Sequence, residues 1–254
     1  MTETSASPDF VSLAPGLVRG IGASERTPRW RPGISTGCRH AEMFASGCDA
    51  AGAGLALALA RDALRMKSPD PAVDTPDQRP FLWVQDKAAL RLSGTPYLPG
   101  LPAQVRHRLI HVAAASPEDA LFALEEGLRC RDLAFVIGEI AGNPRSLDFT
   151  ASRRLGLAAE KHGVPLWLVR LDARHDLGAA RMRWRVEGAP SPASRWNSHA
   201  PGAATWKADL FRAHTFQPGQ WILRDDGPAL IAEPATPDHG GLVHRAGDRS
   251  LATG

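Results

Sequence analysis

Residues 39–65, RHAEMFASGCDAAGAGLALALARDALR, form the stretch from which the fold can be predicted. The apolar run at residues 41–44 is typical of a buried strand, and residues 46–54 form a loop of small residues with three glycines. Residues 55–64 set leucines on an alanine background, which predicts a helix. Strand, glycine loop and helix in this order are the layout of a phosphate cradle, where loop amides and the helix N-terminus face an anion.

The cradle lacks the charged groups on which phosphate chemistry depends. A P-loop has Gly-Lys-Ser/Thr where the loop meets the helix, whereas this chain has Gly52-Ala53-Gly54 there, after an earlier glycine at Gly47. Two interpretations remain open. The loop is either a tight turn that needs glycine for close packing, or a residual site for an anion or nucleotide.

Beyond this stretch, short apolar runs alternate with helical patterns. The predicted strands cover residues 81–84, 109–112, 133–140 and 164–169. One helix starts at the capping residue Ser116 and runs to about Arg129, and a second covers residues 148–161. Such alternation is typical of βαβ units and a parallel sheet. We therefore predict an α/β fold with three αβα layers and a mainly parallel central sheet.

The pattern changes after residue 180. Residues 181–186 alternate between arginine and apolar side chains, which predicts a half-buried strand. The alternation returns over residues 206–212 and 221–223, and we predict an antiparallel β-hairpin appended to the sheet. The tryptophans of these strands are predicted to pack in the core, with anchors of a protein interface as the alternative.

The polar face of the first of these strands carries Arg181, Arg183 and Arg185. Its simplest interpretation is a solvated strand face. Two functional interpretations stand beside it, namely contact with DNA phosphates and contact with an acidic partner.

Composition limits the remaining function classes. The chain has 254 residues, 43% of them hydrophobic, which suffices for one sizeable core. Its net charge of +3 permits contact with nucleic acid but does not argue for it. Three widely spaced cysteines and isolated histidines lack metal-ligand spacing, so we expect no metal, a reducing cytoplasm, and buried or inert thiols. No apolar run approaches the ~20 residues of a membrane span, so no membrane contact is expected.

The order of these elements resembles the RecA/recombinase ATPase core and, more closely, the ImuA family, the RecA-related accessory proteins of bacterial damage-induced mutagenesis. The matching segments lie at residues 34–44, 50–64, 81–86, 95–101, 116–140, 147–170, 181–186, 206–214 and 218–223. The resemblance predicts a degenerate RecA-like core at residues 35–233. The composition of the ends predicts a flexible arm at residues 1–34 and a disordered tail at residues 234–254.

The resemblance also implies where ATPase groups would stand. The P-loop lysine and hydroxyl fall on Ala53 and Gly54. The glutamate that activates water falls on Gln85 or Asp86, and Gly138 followed by Glu139 occupies the place of the Walker B aspartate. Asp86 and Glu139 are therefore the candidate residual acidic sites.

Two further positions correspond to functional groups in RecA proteins. The polar sensor falls near Arg170, and the lysines that reach a neighbouring subunit's nucleotide fall near Arg212 and His214. Arg212 and His214, together with the arginine face, are the candidate intersubunit or phosphate contacts.

These losses argue against ATP hydrolysis, which depends on positioning and electrostatics. We expect no cofactor, with ATP as the alternative. The resemblance implies a non-catalytic factor of SOS-type mutagenic translesion synthesis. Its implied partners are ImuB, an inactive Y-family polymerase homologue, and an error-prone replicative-type DNA polymerase, with RecA as a further candidate and DNA contacted mostly through them. The alternatives are a RecA-class ATPase or filament regulator that binds nucleotide and single-stranded DNA, and a direct DNA-binding module.

Overall fold

The computed structural model describes residues 27–33, 38–65, 77–194, 197 and 199–235. Most of the predicted arm, residues 1–26, lies outside the described residues. So do residues 236–254, which make up nearly all of the predicted tail. The arm up to residue 26 and the tail therefore stay predictions.

The described strands form a single nine-stranded sheet. They are β1 (His40–Ala45), β2 (Phe81–Asp86), β3 (Leu109–Ala114), β4 (Val136–Ala141), β5 (Leu166–Leu171), β6 (Met182–Gly188), β7 (Thr205–Ala213), β8 (Gly219–Asp225) and β9 (Leu230–Pro234). Their order is β3-β2-β4-β5-β1-β6-β7-β8-β9. Pairing is parallel from β3 to β6 and antiparallel from β6 to β9. The predicted α/β class and mainly parallel sheet are confirmed, and β9 extends the predicted hairpin.

Five α-helices among the described residues cover the two faces of the sheet. They are α1 (Ala51–Arg65), α2 (Lys87–Ser93), α3 (Ala103–Arg106), α4 (Pro117–Arg129) and α5 (Phe149–His162). Residues of α1, α2 and α3 share one core cluster with one face of the sheet, whereas α4 and α5 share a second cluster with the opposite face. The predicted three layers follow from this division, since helices must cover both faces of a buried parallel sheet.

Local signals explain where α4 and α5 begin and end. The Ser116 hydroxyl accepts a hydrogen bond from the Asp119 amide, which confirms the predicted start of α4. Asp148 caps α5 in the same way, and α5 ends at Gly163 in the left-handed region. Leu157 of α5 is 54% exposed.

The first helix begins earlier than predicted. Because α1 starts at Ala51, Gly52 and Gly54 lie in its first turn, and the loop after β1 is shorter than residues 46–54. The physical reason is a local cap, since the Asp49 carboxylate accepts a hydrogen bond from the amide of Ala51 at 2.8 Å.

The described end of the predicted flexible arm packs into the core. Trp30 is 4% exposed, and its ring meets those of Trp184 and Trp221 edge-on. Those two tryptophans and Trp206 are all buried, which confirms their predicted core role. Within the predicted flexible or loosely docked arm, residues 27–33 are therefore held against the core through Trp30, which has a large apolar surface to bury.

Candidate functional site

The candidate site is a cleft of about 390 Å³ at the carboxyl edge of the parallel strands, the edge where α/β proteins bind ligands. One wall is the start of α1, with the P-loop lysine and hydroxyl positions Ala53 and Gly54. The opposite wall is the segment before α3, which includes the 73% exposed Tyr97. Glu139 of β4 also lines the cleft.

The phosphate cradle beside this cleft is occupied by side chains of the protein itself. The amide of Gly47 donates to the Asp172 carboxylate at 2.9 Å, and that of Ala51 donates to the Asp49 carboxylate at 2.8 Å. The Cys48 amide donates to the Ser46 hydroxyl. Two carboxylates therefore accept hydrogen bonds from amides that a bound phosphate would need, and their charge repels an anion.

The two helical glycines are required by packing. A Cβ at Gly52 would lie 2.7 Å from the Cβ of Ala45 and 2.8 Å from Cγ1 of Val169. At Gly54 it would lie 3.2 Å from the Trp206 ring. These contacts favour the interpretation of close helix–sheet packing over that of residual anion binding.

The charges that line the cleft are also unsuited to a nucleotide triphosphate. Arg61 is the one basic side chain among the described residues lining it, and its guanidinium is paired with the Asp225 carboxylate at 2.6 Å. Asp49 and Glu139 add two more carboxyl groups. The cleft therefore offers no unpaired cation from the described part of the chain.

Glu139 lies at the centre of a hydrogen-bonded network. Its Oε1 accepts from Nε1 of Trp83 at 2.6 Å and from Nε2 of Gln85 at 3.2 Å, and its Oε2 accepts from the Ser93 hydroxyl at 3.0 Å. His111 contacts Oε1 of Gln85 at 2.9 Å. Burial raises the pKa of the Glu139 carboxyl above its ordinary value, although these donors oppose the rise.

We expect Glu139→Leu to lower the free energy of unfolding by about 2–3 kcal/mol, because it leaves the buried Nε1–H of Trp83 without its acceptor. Glu139→Gln keeps an acceptor of the same shape and is expected to cost less than about 1 kcal/mol. Urea denaturation of both variants measures the difference. A loss below about 1 kcal/mol in Glu139→Leu would show that the network does not stabilise the fold.

Asp86, the other predicted acidic site, caps a helix. Its Oδ1 accepts from the Ala89 amide at 2.7 Å at the start of α2, and its Oδ2 is buried without a hydrogen-bond partner among the described residues. Asp86 is absent from the described lining of the cleft. Its role as a residual acidic site remains a prediction.

The arginines of the predicted solvated face have different environments. Arg183 is buried, and its Nε donates to the Glu42 carboxylate at 2.7 Å. The prediction of an exposed arginine is wrong at this position, because a buried acid on β1 draws the guanidinium inward. Arg185 is exposed and pairs with Asp209 at 3.2 Å.

Arg181, Arg212 and His214 come together away from the cleft. The amide of His214 donates to the carbonyl of Arg181, and all three residues line one small cavity at the start of β6 and the end of β7. Arg181 also pairs with Glu160 at 2.7 Å. The cleft and this basic cluster are therefore separate surfaces.

Sequence reasoning missed the residues that hold Glu139. Trp83 was hidden in an apolar strand pattern, while Ser93 and His111 carried no motif. Polar side chains after an apolar strand were the only available signal. Of the thiols predicted to be buried or inert, Cys38 is partly buried, whereas Cys48 and Cys130 are exposed.

Two negative findings concern metal binding and membrane insertion. No group of three or more potential metal ligands occurs among the described residues. No helix in the described ranges is long and apolar enough to cross a bilayer.

Comparisons with known proteins identify two relatives. Protein ImuA of Caulobacter vibrioides, from strain NA1000 / CB15N and from strain ATCC 19089 / CIP 103742 / CB 15, is in each case 33% identical over 154 residues. The match covers 56% of this chain and 59% of the length of these relatives. No protein-family model matches the chain. The similarity agrees with the ordered resemblance of the sequence segments, and the chain is similar to Protein ImuA over this part of its length.

Proposed function

We propose that this chain is a non-catalytic accessory factor of damage-induced mutagenesis. In this proposal it scaffolds a complex of an ImuB-type inactive relative of the Y-family polymerases and an error-prone replicative-type DNA polymerase. Its core is a RecA-like ATPase fold whose nucleotide chemistry has been lost. Similarity to Protein ImuA supports the pathway, and the closed phosphate cradle supports the non-catalytic role.

The occupied cradle is the observation that carries the proposal. Loss of the P-loop lysine alone would remove a contact worth about 1.5–3 kcal/mol, or roughly ten- to a hundredfold in affinity. The carboxylates of Asp49 and Asp172 add repulsion where a phosphate would bind. An ATPase needs positive charge and a metal at this position, and the described side chains supply the opposite charge.

Co-purification tests the scaffold role. The full chain is co-expressed with an ImuB-type protein, with and without the residues after Pro234, and the complex is isolated through a tag on the partner. We expect the full chain to be retained with the partner. Absence of any association under conditions where both proteins are folded would contradict the proposal.

Calorimetry with ATP and Mg²⁺ tests the loss of nucleotide chemistry. We expect no binding heat and no phosphate release, with or without single-stranded DNA. The matched variant Asp49→Asn/Asp172→Asn reduces the negative charge of the cradle, and we expect it to remain inactive because Ala53 still supplies no cation. ATP turnover by the wild-type chain that is lost in Gly52→Asp would instead favour the RecA-class ATPase.

A further inference from the structure

A groove runs along the outer side of α5, on the face of the sheet opposite to the cleft. It consists of two adjoining cavities of about 330 Å³ and about 260 Å³, which share Ala179, Arg181 and Arg212. The groove lies between α5 and the segment that leads from β5 to β6. We refer to it as the α5 groove.

Two large apolar side chains line the α5 groove although they face solvent. Phe149 is 50% exposed and Leu157 is 54% exposed. They stand eight residues apart on α5, so they lie on the same side of the helix. Exposed apolar side chains grouped in a depression, with polar residues around them, are typical of a protein interaction site.

Basic side chains surround these apolar groups. Arg181 is paired with Glu160, the one acidic residue in the described lining of the groove. Arg153 and Arg212 are exposed and have no carboxylate partner among the described residues. The groove therefore carries two uncompensated guanidinium groups, and guanidinium forms forked hydrogen bonds with carboxylates.

The floor of the groove is formed by glycines over buried polar groups. A Cβ at Gly178 would lie 2.9 Å from both carboxylate oxygens of Glu42, and one at Gly156 would lie 3.2 Å from Nδ1 of His40. Both ring nitrogens of His40 lack a partner in the described part of the chain. Glycine at these two positions therefore lets α5 and the segment before β6 pack closely over β1.

We infer that the α5 groove binds an acidic segment of a partner protein, with large apolar side chains of that segment packed against Phe149 and Leu157. Carboxylates of the segment pair with Arg153 and Arg212. This inference rests on the proposed function, since it assigns the docking surface for the ImuB-type partner. In this inference, Arg153 and Arg212 bind the carboxylates of a protein and not the phosphates of a nucleotide.

A protein segment fits the groove better than a nucleic acid does. Nucleic acid binding relies on many phosphate contacts with lysine and arginine, whereas the groove has two unpaired arginines and a carboxylate, Glu160, within it. Leu157 is aliphatic and offers no stacking surface for a base. A protein segment with both acidic and apolar side chains matches the unpaired arginines and the exposed apolar groups of the lining.

The test measures binding of the purified full chain to the purified ImuB-type protein by calorimetry. We expect Arg153→Glu/Arg212→Glu and Phe149→Ser/Leu157→Ser each to weaken binding by at least about tenfold, because each removes one feature of the groove. The charge variant should also lose the salt dependence of binding. Lys161→Glu and Phe122→Ser are the matched controls, since both residues are exposed but do not line the groove. Equal thermal midpoints of all variants confirm that they are folded.

The possible results distinguish the groove assignment from the scaffold proposal. If wild-type protein binds the partner and the groove variants bind equally well, the groove assignment is wrong and the scaffold proposal stands. If wild-type protein does not bind, both fail. If the charge variant binds the partner normally but loses binding to a labelled single-stranded oligonucleotide, the groove is a nucleic-acid surface and the inference is overturned.

Discussion

Replacing Arg183 with methionine is expected to lower the free energy of unfolding by about 3–5 kcal/mol, because it leaves a buried carboxylate without its countercharge. The side chains of Arg183 and Glu42 are 4% and 0% exposed, and the ion pair measures 2.7 Å. The guanidinium also lies over the rings of Phe44 and Phe211, at 4.9 Å and 5.6 Å from their centroids. Urea denaturation at neutral pH measures the loss.

Two further variants identify the cause of that loss. Arg185→Met removes an arginine from the same strand, but Arg185 is 50% exposed and its pair with Asp209 is solvated, so we expect a cost below about 1 kcal/mol. Glu42→Leu/Arg183→Met removes both buried charges and should be more stable than Arg183→Met alone. A loss below about 1 kcal/mol in Arg183→Met would show that the pair is not needed for stability.

Arg183 shows what sequence periodicity can and cannot predict. The alternation correctly placed Met182, Trp184 and Val186 on the buried face of β6 and Arg185 on an exposed face. It could not show that Arg183 is buried, because the acid that pairs with it, Glu42, lies 141 residues earlier in the chain. Periodicity reports which way a side chain points, whereas burial depends on which strand becomes its neighbour.

As with Arg183, part of the candidate site could be predicted from the sequence and part could not. The missing lysine and hydroxyl at Ala53 and Gly54 are evident from a local motif. The sequence does not reveal that Asp172 closes the cradle, because this residue lies 125 positions from Gly47. The aspartate has φ = 50°, a conformation that sequence patterns do not reveal for a non-glycine residue. The sequence therefore predicted that the site lacks its cation. The structure shows in addition that the carboxylate of Asp172 accepts a hydrogen bond from the loop amide of Gly47.

The fold was more predictable than the site because its signals are local. Continuous apolar runs and capped helices indicated the parallel strands and α4. The omitted elements are short or lie at an edge: α2 has seven residues and β9 has five. Short elements at the margin of a sheet depend on tertiary packing, and their propensity signal is weak.

Acidification below pH 6.5 is expected to destabilise the protein through His40. Burial, and secondly the charge of Arg183, lowers the pKa of His40 from 6.5 to about 4. The unfolded chain therefore binds a proton between these values while the folded chain does not. Stability is fully present above pH 6.5 and falls as pH decreases to about 4, by about 3 kcal/mol in total.

Because carboxyl groups also titrate in this range, the test is a comparison with His40→Leu. The variant lacks the titrating group, so the difference in unfolding free energy between pH 7 and pH 4.5 should be smaller than in the wild type by about 2–3 kcal/mol. Identical pH profiles for wild type and His40→Leu would contradict the prediction.

The two predictions are coupled through Arg183. Its positive charge is the second cause of the low pKa of His40, so Arg183→Met should raise that pKa toward its ordinary value. The variant should then be less stable at pH 7 and also less sensitive to acid than the wild type. If Arg183 acted through packing alone, Arg183→Met would keep the wild-type pH profile, because the charge of Arg183 would then have no influence on the protonation of His40. The pH profile of Arg183→Met therefore separates the electrostatic role of this arginine from its contribution to packing.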